Sequence, residues 1–204
     1  MSDTLREFLA ELDTVLRRAG SRASEFADLA RTIDVSTSPA CEPSAALPVC
    51  RFWTASLEAV HGPLAAALRT LAPSLSWTQN PNYRRQPPDP AFLDDYGYAV
   101  LAGPSDGPSA LAVDPRLALG VLLLGPGTHY PLHHHPAVEV YLVVSGDAEW
   151  WRDAGPWRRQ EPGALIYHAP DVPHAMRAGA QPLLAVYLWR GALATHARLT
   201  VAVP

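Results

Sequence analysis

The chain has 204 residues, 48% of them apolar, and a formal net charge of −4. That length suits one good-sized domain or a domain with an appended region, and the mild, evenly spread charge leaves no footprint for nucleic acid. No run of about 18 or more apolar residues exists to span a membrane, and the N-terminus lacks the basic-plus-apolar pattern of a secretory signal, so a cytoplasmic protein is expected.

Residues 3–19 place Leu5, Phe8, Leu9, Leu12, Val15 and Leu16 at helical spacing, with Ser2 or Asp3 as the cap and Gly20 as the stop. A second helix is expected over 22–33. The stretch STSPACEPSAALP then reads as a loop; Cys41 and Cys50 flank its proline-rich part and are expected as free thiols in a reducing compartment. A third helix covers 53–71, with Pro63 kinking or splitting it. Residues 78–96 are too polar and proline-rich for a regular element and form an irregular connection. From about residue 97 the runs YAVLAG, LALGVLLLG, VEVYLVVSG, AEWWRD, ALIYHA, LLAVYLWRG and HARLTVAV are short and β-rich. Gly, Pro and Asp punctuate them at roughly ten-residue intervals, which argues for an antiparallel sandwich or barrel. The expected architecture is mainly β: a helical region over 1–96 packed on a β-barrel domain over 97–204.

All sixteen Lys+Arg residues are arginine. Without lysine, Schiff-base chemistry is excluded, and with it ordinary pyridoxal-phosphate enzymes and class I aldolases; the P-loop lysine is missing as well. The chemistry concentrates instead in GPGTHYPLHHHPAVEVYLVVSG, residues 125–146. In an extended segment residues two apart share a face. His133 and His135 therefore point one way and His134 the other, while Glu139 and Tyr141 share a face of the next strand. The two groups converge if the two short strands pair across the bend. His174, in APDVPHAM, supplies a third imidazole. Three histidines and a carboxylate suit one divalent first-row metal, Fe(II), Mn(II), Co(II), Ni(II) or Zn(II), with positions left open for substrate.

The pattern G-x5-H-x-H-x3-E-x6-G, met by Gly127, His133, His135, Glu139 and Gly146, resembles the first cupin motif. The second motif matches only through Gly163, Pro170 and His174, since PDVPHAM lacks its inner glycine and following asparagine. The resemblance implies a jelly-roll β-barrel with a metal in its mouth. A narrower likeness, carried by Y-x-x-H-x-H-x3-E-x-Y, PHAM and a YLWR strand, is to the cupin-type dimethylsulfoniopropionate (DMSP) lyases. It covers residues 97–190, and the helical region in layout. It implies His135, Glu139 and His174 as metal ligands, Tyr141 beside or on the metal, and His133 as a further ligand or hydrogen-bond partner. Tyr130 would border the substrate and Trp189 would stand in an aromatic wall.

The implied reaction is β-elimination of DMSP, a small zwitterion, to dimethyl sulfide and acrylate. A cation on the substrate carboxylate would acidify the neighbouring C–H, and the same charge would help Tyr141 ionise and act as the base; Tyr130 is the competing base. The sulfonium calls for a dry aromatic wall, for which Trp189, Tyr187, Tyr167, Trp53 and Trp77 are candidates; of Trp150 and Trp151 at most one faces inward. The alternative is a cupin dioxygenase or isomerase acting on another small organic acid. The second face of AVEVYLVV is apolar too and must be covered by the helices or by a second subunit in a homodimer.

Overall fold

The computed structural model describes residues 2–36 and 46–200. Among them are five α-helices: α1 (Ser2–Arg18), α2 (Ser21–Arg31), α3 (Trp53–Glu58), α4 (Pro63–Leu71) and α5 (Pro81–Arg85). The strands are β1 (Trp77–Thr78), β2 (Tyr96–Gly103), β3 (Ala110–Val113), β4 (Leu117–Leu124), β5 (His129–His134) and β6 (Val138–Ser145). They continue with β7 (Ala148–Arg152), β8 (Arg158–Gln160), β9 (Leu165–His168), β10 (His174–Ala178), β11 (Leu183–Arg190) and β12 (Arg198–Leu199). Cys41, most of the loop around it and the last residues of HARLTVAV lie outside the described residues; Cys50 is a half-buried free thiol.

α1 forms because Leu5, Phe8, Leu9, Leu12 and Leu16 recur on one buried face, with Asp3 in its first turn and Arg17 and Arg18 in its last. The expected helix over 53–71 is two helices. Gly62 breaks it at φ +99° and Pro63 opens α4, where its missing N–H costs nothing. The stretch 78–96 is more regular than its composition suggests. Asn80 accepts a hydrogen bond from the Asn82 N–H and caps α5, and a 3-10 turn follows at Phe92–Asp94. A short polar cap thus outweighs the prolines, one of which sits at the start of the helix.

The strands make two facing sheets. One runs β1-β2-β4-β11-β6-β9, with β3 beside β2; the other runs β12-β5-β10-β7-β8. This is the expected jelly-roll β-barrel with an N-terminal helical region. The two motif glycines have a backbone reason: Gly127 and Gly146 turn at φ +72° and +96°, conformations that side-chain-bearing residues rarely adopt.

Two cores hold the molecule. The outer one packs Phe8, Leu12, Phe26 and Leu68 of the helices against Val121, Val140, Leu142, Val186 and Leu188 of the larger sheet. Full burial of each such side chain contributes roughly 1.5–3 kcal/mol before chain entropy is counted. The second apolar face of β6 is therefore covered by the chain's own helices. The inner core fills the barrel with Tyr83, Phe92, Tyr96, Tyr130, Tyr141, Trp150 and Met176. Among the described residues no helix is long and apolar enough to cross a membrane.

Candidate metal centre and pocket

β5 and β6 do not pair with each other, contrary to the expectation from the sequence. β5 lies between β12 and β10 in one sheet, and β6 between β11 and β9 in the other. The convergence happens across the barrel interior. Strand parity still holds: His133 and His135 are buried, whereas the half-exposed His134 side chain stands 3.5 Å from Asp171. His133 and His174 are cross-strand partners on the smaller sheet, and Glu139 rises from the larger one.

His135, Glu139 and His174 bring one donor atom each to within 4.8 Å of one another, all buried. Glu139 Oε2 lies 3.2 Å from His135 Nε2 and 3.3 Å from His174 Nε2. His135 Nδ1 meets the Ala137 carbonyl at 3.0 Å and His174 Nδ1 the Val172 carbonyl at 2.9 Å. A carbonyl only accepts, so each Nδ1 carries a proton and each Nε2 is the nitrogen that faces the carboxylate. Without a metal, an Nε2 proton donates to Glu139; with that proton gone, the lone pairs and the carboxylate need a cation between them. His174 Nε2 is also buried without a hydrogen-bond partner. Two imidazole nitrogens and one carboxylate oxygen fit a single divalent metal ion. The other Glu139 oxygen is held by the Trp189 Nε1–H at 2.5 Å.

His133 stands beside this group and not within it. Its Nδ1 meets the Pro131 carbonyl at 2.8 Å, and its ring stacks on Tyr130 at 4.0 Å and contacts His174 edge-on at 4.1 Å. Next to the group opens a cavity of about 190 Å³ lined by Glu139, Tyr141, Tyr130, Tyr96, Tyr98, Tyr187 and Trp189, among others. Among the described residues its charged side chains are Glu139 and Asp106, and no arginine lines it. Of the aromatic residues considered for a wall, Trp189 and Tyr187 line the cavity. Trp53 and Trp77 pack on each other in the outer core, and Tyr167 lies under Arg22. Trp150 is the inward member of its pair.

The electrostatics are those of a dry site. Burial opposes the Glu139 carboxylate, but the adjacent His135 and His174 outweigh it and hold the group well below the usual carboxylate range. Burial, then the charge of Glu139 and a hydrogen bond to it, push the Tyr141 phenol well above its ordinary value. Burial and the neighbouring Tyr83 and Tyr96 do the same to Tyr130, whose hydroxyl lies 3.1 Å from that of Tyr83.

Several contributors escaped the sequence reading: Tyr96 and Tyr98 of β2 line the cavity, and two further residues come from less expected places. Tyr83 comes from α5, inside the segment expected to be irregular. His168 sits on β9 directly across from Glu139, buried, with its ring on His174. Burial first, then His174, lowers its pKa to about 3. The signal available was parity, since His168 lies two residues after the inward-facing Ile166 and shares its face.

A family model described as dimethylsulfoniopropionate lyase matches residues 21–185. The dimethylsulfoniopropionate lyase DddQ of Ruegeria pomeroyi is 38% identical over 109 residues, which is 53% of this chain and 52% of that protein. The chain spans about half the length of the curated relatives it matches. The crystal structure of DMSP lyase DddQ from Ruegeria pomeroyi superposes with a TM-score of 0.77 at 26% identity, covering 98% of each chain. A chain from the crystal structures of the DMSP lyases RdDddP and RnDddQII gives 0.75 at 30% identity, covering 98% of this chain and 100% of that one.

Proposed function

The chain belongs to the dimethylsulfoniopropionate lyase family, and on that premise we propose that it is a metal-dependent carbon–sulfur lyase that eliminates dimethyl sulfide from DMSP and leaves acrylate. The observation that carries the reading is the cavity itself. It is tyrosine-lined and, among the described residues, free of arginine, and it runs up to Glu139 of the buried His135–Glu139–His174 group. A zwitterion with a carboxylate at one end and an onium at the other fits that polarity. His135, Glu139 and His174 would hold one divalent ion. When bound, that ion supplies positive charge that stabilises the enolate-like transition state and the Tyr141 phenolate.

The chain's residues do the rest. Trp189, tied to Glu139, and Tyr187 present ring faces to the sulfonium, an attraction worth about 0.5–2 kcal/mol for each ring. Tyr141, on the cavity wall beside Glu139, takes the proton from the carbon next to the substrate carboxylate. The C–H electrons form the double bond of acrylate, the C–S bond breaks, and its pair leaves with neutral dimethyl sulfide. Tyr130 borders the substrate with its hydroxyl beside Tyr83. His133, anchored like the two ligand histidines through Nδ1, either adds a further nitrogen to the metal or holds Tyr130 by stacking. The burial of the whole group excludes water that would compete for the phenolate.

The test is headspace detection of dimethyl sulfide, with equimolar acrylate in solution, after adding DMSP to metal-loaded protein. Metal-loaded protein that releases neither product would refute the assignment; oxygen uptake with a small organic acid would replace it by an oxygenase.

A further inference from the structure

Glu139 is the middle of a three-residue row across the larger sheet. In register, Trp189 of β11 lies on one side of it and His168 of β9 on the other. Each flanking ring lies against one of the two histidines that face Glu139. Trp189 stacks on His135 at 4.1 Å with 28° between planes, and His168 stacks on His174 at 3.9 Å with 14°.

His168 is not wired as a ligand. His133, His135 and His174 each anchor Nδ1 on a backbone carbonyl and so free Nε2, whereas both His168 nitrogens are buried without a hydrogen-bond partner. It also lies outside the group whose donors gather within 4.8 Å. What it gives the site is a ring face. That matters because the Nδ1 hydrogen bond of His174 fixes one point of the ring and the edge-on contact with His133 touches one side of it, and neither offers a parallel plane. A flat neighbour in van der Waals contact supplies that plane.

Resting on the metal-centre reading above, we propose that His168 is a positioning residue: with Trp189 it forms an aromatic bracket that sets the ring planes of His174 and His135 before metal arrives. Both Nε2 atoms then already face Glu139, and metal binding spends nothing on ordering them. Because β9 and β10 belong to different sheets, the stack also ties the Glu139 sheet to the His174 sheet at the centre itself.

Two substitutions separate a ring face from mere filling. His168→Phe keeps a planar face and removes the nitrogens, and His168→Leu fills space without a plane. Zinc affinity would be measured by chelator competition, and ligand geometry by the visible spectrum of the cobalt-substituted protein. His168→Phe should stay close to wild type. His168→Leu should lose about 10–100-fold in affinity, the range for residues that orient metal ligands, and shift the cobalt bands, with the metal-free melting temperature nearly unchanged. Wild-type affinity and spectrum in His168→Leu would overturn the proposal, as would an equal loss in both variants. If either variant fails to fold, the metal-free wild type still decides: the His174 ring protons should resonate upfield from the stacked His168 ring, and an unshifted pair refutes the bracket. A wild-type protein that binds neither zinc nor cobalt would instead overturn the metal-centre reading, leaving the ring-proton result to stand on its own.

Discussion

Tyr141→Phe isolates the proposed base. Tyr141 is 5% exposed, pairs in register with Tyr187 and Ile166, and packs near Trp150 at 6.0 Å between ring centroids. Phenylalanine keeps that ring, so only the hydroxyl beside the Glu139 charge is lost. The polar interactions of one such hydroxyl are worth about 0.5–1.5 kcal/mol, and in a chain of this size about 1 kcal/mol moves the melting temperature by roughly 2–4 °C. The fold should therefore survive with a drop of a few degrees. Turnover should fall by at least about 10²-fold, the lower end of general-base contributions, which is about 2.7 kcal/mol in activation free energy. His135, Glu139 and His174 are untouched, so metal content should hold. Headspace assay of dimethyl sulfide, metal analysis and a thermal melt on the same preparation separate the three effects. Wild-type turnover at full metal loading would end the assignment. Tyr130→Phe is the comparator: its hydroxyl is already engaged with Tyr83, so it should lose less, and a larger loss there would transfer the base role to Tyr130.

Replacing His135, Glu139 or His174 by alanine should remove most bound metal, whereas His134→Ala, pointing outward beside Asp171, should retain it; metal analysis of the four proteins decides, and equal loss in His134→Ala would sink the parity argument. Trp189→Ala should raise KM for DMSP more than for an uncharged analogue. Because Trp189 also holds Glu139 and stacks on His135, it should weaken metal binding too, and a variant with unchanged metal affinity would reduce Trp189 to a wall residue. In the metal-free protein, His168 (pKa about 3) and His133 are neutral while folded but take up protons near 6.5 once unfolded. Below 6.5 the unfolded state thus binds more protons, and stability should fall with pH, by up to roughly 1.4 kcal/mol per pH unit for His168. Glu139, held low in the fold, adds to the loss at the acid end. Urea midpoints at pH 7.5, 6 and 5 test this, and an unchanged midpoint would refute it.

Local periodicity determined much of this protein. A period of two places His133 and His135 inside and His134 outside, and puts Glu139 and Tyr141 on one face of β6, whatever the rest of the chain does. A helical period does the same for the buried face of α1, and Gly127 and Gly146 mark turns that need a positive φ. Those features are legible because they depend on neighbours within one element. The tertiary structure decided which elements face each other. It put β5 and β6 in different sheets, so that the three converging donors come from across the barrel and not from one hairpin. It laid His168 beside Glu139 through the β6–β9 register, and it carried Tyr83 from α5 to the Tyr130 hydroxyl. No spacing in the chain encodes those contacts, because cross-strand and cross-barrel partners are set by how two sheets close on a shared core, a property of the packed molecule and not of any segment.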